Sequence, residues 1–242
     1  MMTLTKRQEK LLEKIVKEYV RSAVPVSSKL LYKKYDFGVS PATLRNEMQK
    51  LTEQGYLYQP HTSAGRMPTD RGYRFFVNSL FEKDCFRVEE EKKSKILEEI
   101  KKEVDDSIKL IQILSRILAD NSYNLGLSFL LGQEILWKEG WEKVFSKPEF
   151  RGAEITSRFI KTLNSFERNI KEFASDSSLE PKVYIGKENP VSRDNEFSII
   201  AAKFVCSDFN CEGMFAILGP KRMNYNRNIS LARFLAQSLS ED

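Results

Sequence analysis

Arg45, Asn46, Gln49 and Lys50 fall within one short stretch and carry the side-chain chemistry that reads a nucleic acid. Arginine and lysine donate to guanine edges or phosphate oxygens, and the carboxamides of asparagine and glutamine match the donor–acceptor pair on adenine. To act together the four must share one face of one element. Leu44, Met48 and Leu51 recur between them at spacings of four and three, which makes one buried helical stripe and leaves the polar residues, with Thr43, off it. Ser40 suits the N-cap, where its hydroxyl accepts a bond from an amide of the first turn. Pro41 suits the first helical position, which needs no N–H. Gly55 lies just past the end, where helices close in a left-handed conformation. The segment thus predicts a recognition helix.

The flanks supply the elements that would position it. Ser27 to Tyr35 predicts a short helix, and Asp36-Phe37-Gly38-Val39 a turn, so two helices meet in a helix-turn-helix. After Gly55, Tyr56 to Gln59 is aromatic and strand-like, Pro60 to Arg66 is a turn-rich loop without a carboxylate, and Met67-Pro68-Thr69 leads back. A polar hairpin directly after a recognition helix is a wing, whose His61, Thr62, Ser63 and Arg66 suit phosphates, or the minor groove if Arg66 inserts. Thr5 with Gln8 starts a first helix by a capping box, and Leu11, Leu12, Ile15, Val16, Tyr19 and Val20 form its apolar face. Thr69 or Asp70 caps a fourth helix. On it, Arg71 and Arg74 are either phosphate contacts or solvated.

Charge follows the same division. Residues 1–80 hold 14 Lys and Arg against 7 Asp and Glu, a net +7, whereas the remainder holds 25 against 27, a net −2. A basic N-terminal third fits a DNA-binding surface. Of the motifs that carry catalysis there is little. The one histidine, His61, sits in the proposed wing, and no HExxH, GxSxG, P-loop or GxGxxG is present. An enzyme is not expected, nor a metal or cofactor. Cys85, Cys206 and Cys211 are odd in number and form no CxxC, so reduced thiols are expected. No apolar run approaches the ~20 residues of a membrane span, and the N-terminus is polar and charged, so a cytoplasmic, nucleoid-associated protein is expected.

PHTSAGR followed by PTDRGYR, with SPATLRNEM upstream, resembles the bacterial family of heat-inducible transcription repressors named HrcA. ILGPKRMNY at Ile217 to Tyr225 and PEF at Pro148 to Phe150 match further blocks of that family. Ser27, Lys29 and Thr52 depart from its pattern, which has Gly, Arg and an acidic residue there. The chain is also short of part of the region that members carry between the DNA-binding domain and the C-terminal block. The resemblance implies binding to the CIRCE operator upstream of chaperone operons, loss of repression on heating, and assistance from the GroE chaperonin. For the C-terminal region it implies a GAF-like fold, here reduced.

The expected architecture is α+β. Residues 1–80 form the winged helix-turn-helix domain. Residues 81–120 form a charged linker or dimerisation helix, with Leu97, Ile100, Val104, Ile111, Leu114 and Leu118 as its seam. Residues 121–242 form an α+β dimerisation or regulatory domain with an antiparallel sheet. Within it, strands are expected near 125–131, 134–137, 182–186, 197–206 and 213–218, and helices over 154–174 and 228–239. In GPKRMNY, Lys221 and Arg222 beside a Gly-Pro turn suit an anion or an acidic partner. The preferred reading is structural: a turn whose Met223 and Tyr225 fill a core or a dimer interface, because anion loops usually need several glycines or a helix N-terminus. One short helix reads too few base pairs for genomic specificity, so a homodimer on an inverted repeat is expected. The alternative is a winged-helix regulator of another regulon that answers to a small effector.

Overall fold

The computed structural model describes residues 4–176, 178–190, 192 and 194–240. It divides into two compact units, residues 1–84 and 85–242.

The first unit is built from well-capped helices. α1 (Lys6–Ser22) opens with the Thr5–Gln8 capping box, each side chain bonding the other's backbone amide. α2 (Ser28–Lys34) is capped by Ser27, and α3 (Pro41–Glu53) by Ser40 with Pro41 in its first turn. Leu11, Leu12, Ile15 and Val16 of α1, Leu31 of α2, and Leu44, Met48 and Leu51 of α3 are buried together as the unit's core. Gly55 closes α3 at φ +76°. The chain then runs through β1 (Leu57–Tyr58) and β2 (Met67–Pro68), an antiparallel pair, into α4 (Asp70–Glu82), which Thr69 caps.

A carboxylate fastens α1 to α2. Glu18, 4% exposed, accepts from Lys34 Nζ at 2.5 Å and from the Tyr35 hydroxyl at 2.5 Å, and Arg21 lies 3.3 Å away. Burial opposes ionisation of Glu18, but the bonds and charges of Lys34, Tyr35 and Arg21 outweigh it and hold the carboxyl below its ordinary 4.5. Burial and the same carboxylate push Tyr35 up to about 12. A carboxyl whose folded value is depressed stabilises fully above its unfolded value and loses that contribution as pH falls through the folded one. Glu18→Gln is therefore expected to cost the first unit about 1–3 kcal/mol near neutrality, and progressively less in acid. Chemical denaturation of both proteins across pH checks this. A gap that stayed constant well into the acid range would refute it.

The second unit begins with α5 (Glu90–Glu103) and α6 (Ser107–Ser122). The expected single linker helix is therefore two. Val104 adopts an extended conformation, and Asp106 caps α6 by accepting from the Lys109 amide at 2.7 Å. A short carboxylate that can bond a new first turn favours a cap over a helix interior, so Val104-Asp105-Asp106 breaks the run. α6 is no free seam either: Leu110, Ile111, Ile113, Leu114, Ile117 and Leu118 are buried, and α6 packs on the sheet. Arg116 of α6 ties α5 alongside through Glu99 at 2.8 Å and Glu103 at 2.7 Å.

The sheet comprises β3 (Leu125–Leu130), β4 (Ile135–Glu139), β5 (Lys182–Ile185), β6 (Phe197–Cys206) and β7 (Cys211–Pro220). It is antiparallel throughout, in the order β4-β3-β7-β6-β5, with Ile199 opposite Leu218 and Phe129 opposite Met214. Alternation along the strands makes two apolar faces. One, with Leu127, Phe129, Ile199, Ala201, Ala216 and Leu218, meets α7 (Trp141–Phe145) and α8 (Ala153–Arg168). It also meets α9 (Ile170–Asp176). Phe145, Phe150, Phe159 and Phe197 stack edge and face there at 5.2–6.1 Å between centroids. The other face carries Ile200, Ala202, Phe204, Phe215 and Ile217, under α6 and α10 (Tyr225–Ser238).

Two further expectations shift. The helix expected over 154–174 breaks at Asn169, whose side chain turns back to the Ser165 carbonyl at 2.7 Å. The last helix begins at Tyr225, three residues earlier than expected, because Asn224 caps it. None of the three cysteines forms a disulfide. Cys206 and Cys211 are register partners, and burial, then Cys206, pushes the Cys211 thiol up to about 11. Among the described residues no helix is long and apolar enough to cross a membrane, and no His, Cys, Asp and Glu cluster is placed to hold a metal ion.

Candidate nucleic-acid interface

The outer face of α3 is where the sequence-derived readers gather. Leu44, Met48 and Leu51 point inward, and Arg45, Asn46, Gln49 and Lys50 are exposed. Arg45 and Asn46 bond no described residue, so their donors and acceptors are available to a ligand. Lys50 is exposed and lies 3.1 Å from the largely covered Glu47 carboxylate. Glu47 is itself turned to the interior by Gln8, which donates to it at 2.9 Å and joins α1 to α3. Burial works against the Glu47 charge, but bonds from Lys50 and Gln8 keep its carboxyl below the ordinary range. Ser40 differs from the rest: its oxygen accepts from the Thr43 amide at 3.2 Å and lies 3.0 Å from Thr43 Oγ1. Both hydroxyls thus serve the cap first.

The hairpin stands against the end of α3. His61, Thr62 and Ser63 are exposed at its tip, with His61 Nδ1 3.1 Å from Ser63 Oγ. Arg66 is half-buried and spoken for: Nε donates to Thr52 Oγ1 at 3.1 Å and Nη2 to Gln49 Oε1 at 2.9 Å. Either role offered for Arg66, a phosphate contact or insertion into the minor groove, would draw it away from these two acceptors. A guanidinium with two good acceptors on the neighbouring helix stays there unless something better replaces them. Thr52, which departs from the family pattern, supplies one of those acceptors.

Sequence reasoning passed over three features of this region. Gln59 Nε2 donates to the carbonyls of Thr62 and Ala64, at 2.8 and 2.9 Å, and so shapes the loop. The base of the hairpin is stapled to the chain before α2 by paired bonds between Val26 and Arg66, at 2.9 and 2.8 Å. A side chain at Gly65 would bring its Cβ to 2.4 Å from the Val26 carbonyl oxygen, so only glycine permits that approach. Arg71, left between phosphate contact and solvent, is exposed, and its guanidinium also serves the fold. It donates to the Gln54 carbonyl at 2.7 Å and lies over the Tyr56 ring at 4.4 Å, closing the C-terminus of α3. The signals were a glutamine before a loop and a glycine within one, too common in sequence to single out.

The C-terminal candidates lie within the chain's own fold. Met223 and Tyr225 are 2% and 0% exposed, and the Tyr225 hydroxyl meets Ser198 Oγ at 2.9 Å. Of the two places offered for them, core or dimer interface, they occupy the core. Arg222 grips Glu149 with Nε at 2.6 Å and Nη2 at 3.2 Å. The GPKRMNY and PEF blocks, 73 residues apart at this pair, are thus one structural contact.

The comparisons bear on both units. A family described as HrcA protein C terminal domain matches residues 84–229, more than half of the chain. The chain belongs to the HrcA family. A protein of Carboxydothermus hydrogenoformans named heat-inducible transcription repressor HrcA is 28% identical over 335 residues, covering 98% of each chain. That HrcA alignment is 93 positions longer than the 242 residues here, so this is a shortened member. The HrcA of Syntrophobacter fumaroxidans is 37% identical over 183 residues, 74% of this chain and 50% of that one. A crystal structure described as a hypothetical protein superposes with a TM-score of 0.81 over 99% of this chain and 98% of that one, at 20% identity, which speaks for the fold alone. In this HrcA-family chain the residues matched by the C-terminal family description include all of β3 to β7.

Proposed function

We propose that this chain is a transcription repressor of heat-inducible chaperone operons that binds an inverted-repeat CIRCE operator as a homodimer. The observation that carries it is the face of α3, where exposed Arg45, Asn46, Gln49 and Lys50 stand on a helix whose other side is locked into a core. Names borne by the relatives, heat-inducible transcription repressor, support the regulatory role.

In this reading residues 1–84 are a winged helix-turn-helix domain, α2 and α3 the helix pair, and β1–β2 the wing. α3 enters the major groove, Arg45, Asn46 and Gln49 meet base edges, and Lys50 and the wing tip hold phosphates. Residues 85–242 are a reduced GAF-like domain that dimerises and regulates, and GroE assists the repressor. A five-stranded antiparallel sheet with helices over both faces supports that assignment. The reading is of a regulator in the cytoplasm, not an enzyme.

Binding to a labelled CIRCE duplex, beside a scrambled duplex of equal composition and across a salt series, tests this. Tight binding that scrambling abolishes is expected. Equal, steeply salt-dependent binding to both would reduce the chain to a non-specific basic protein. Two substitutions divide the labour on α3. Arg45→Ala is expected to cost about 1–3 kcal/mol on the operator and to relax selection at one base pair. Equal losses on operator and random DNA would remove it from base reading. Lys50→Ala is expected to weaken binding to every sequence and to lower the salt slope by about one. An unchanged slope would take Lys50 off the phosphate backbone.

A further inference from the structure

A cavity of about 270 Å³ opens in the second unit between the chain leading into α5 and the first turns of α10. Three cations line it, Arg87, Lys92 and Arg227, and none is ion-paired to a described carboxylate. Glu89 is the one acidic residue in the lining. Arg227 is held in place by neutral groups: Nη2 donates to the Ser122 carbonyl at 2.6 Å, and the guanidinium lies over the Tyr123 ring at 5.2 Å. Its remaining donors therefore have no anion. Burial, then the charge of Arg227, lowers Lys92 against the pull of Glu89, and burial lowers Arg227. The two cations are thus held near each other without neutralisation.

A second observation comes from Asn226, which also lines the cavity. Its side-chain oxygen is buried and accepts no hydrogen bond from a described residue. A buried acceptor left empty costs about 1–3 kcal/mol, so it points to a donor that the chain does not supply. α10 adds the positive end of its dipole, and Val88 and Leu231 an apolar wall. The neighbouring Lys221 and Arg222 do not take part in the lining, and Arg222 is already neutralised by Glu149.

We propose that this cavity binds a small organic phosphate, its phosphoryl group facing Arg87, Lys92 and Arg227 and a hydroxyl donating to Asn226. The volume suits a ligand of a few carbons and one phosphate, and is below the roughly 300–1,000 Å³ of sites for larger molecules. The site stands apart from the DNA-binding reading, since every residue in it belongs to the second unit.

Titration calorimetry and thermal denaturation of the full chain test it with ribose 5-phosphate, inorganic phosphate and ribose, each in chloride of matched ionic strength. Ribose 5-phosphate is expected to bind saturably and to raise the melting temperature, inorganic phosphate more weakly, and ribose not at all. The double variant Arg87→Gln, Lys92→Gln removes side chains that bond no described residue, so it is expected to fold. It should bind ribose 5-phosphate about tenfold or more weakly, one charge-assisted bond being worth at least that factor. Lys92→Arg should keep most of the affinity. Absence of saturable binding would overturn the proposal. So would undiminished binding by the double variant, which would locate the phosphate elsewhere, as on the basic face of the first unit. Equal binding of ribose would show that the charges are irrelevant.

Discussion

Leu44→Ala is expected to unfold the first unit at temperatures where the second stays intact. Leu44 is 0% exposed on the inner face of α3, between Thr43 and Arg45 of the proposed reading surface. Truncating a buried leucine removes its transfer energy and leaves a cavity, at a cost of about 2–5 kcal/mol. A unit of this size has roughly 5–10 kcal/mol in all, and each kcal/mol moves its midpoint by about 4–8 °C. Calorimetry should show the transition of residues 1–84 lowered by roughly 10 °C or more, with that of residues 85–242 in place. Operator binding should disappear over the same lowered range. If both transitions moved together the two units would not be independent. If neither moved, the inward stripe of α3 would not be the unit's core.

A fragment of residues 1–84 is expected to fold alone and to bind the operator about 10²–10⁴-fold more weakly than the whole chain. Folding follows from a core made within the unit and from four helices that each carry their own cap. Weakness follows from the proposed geometry, in which one α3 would read one half-site and a dimer would make the second contact intramolecular. The salt slope should fall to about half, since half of the phosphates are then neutralised. Fluorescence anisotropy on full and half operators measures all three quantities. Full affinity from the fragment would remove the second unit from DNA binding. Restored affinity on fusing the fragment to an unrelated dimerising helix would show that coupling alone had been lost.

What sequence could reveal here depended on whether the signal was local. The caps of α1, α3 and α4 were legible because a Ser or Thr bonds an amide only three residues on, and the inward stripe of α3 because its period is short. The exposure of Arg45 and Asn46 was legible because they lie off that stripe. The break at Val104–Asp106 was not, since the apolar spacing on either side continued in phase and only the Asp106 cap decided against one helix. The structural bonds of Arg71 were not legible for a related reason: its partners, Gln54 and Tyr56, lie across a turn, 17 and 15 residues away. Tyr225 and Met223 stood open between core and interface until β6 supplied the Ser198 hydroxyl.

The bond from Arg66 to Gln49 has a consequence for how such a chain can diverge. Gln49 was read as a base contact, yet its carboxamide oxygen also anchors the hairpin. Replacing residue 49 alone takes an acceptor from Arg66, whereas replacing residue 66 leaves the carboxamide held through its Nε2, which donates to Glu53 at 3.1 Å. On the proposed base contact of Gln49, a new preference at its base pair is expected to disturb the seat of Arg66 as well. Positions 45 and 46, with no such partner, are free to drift one at a time.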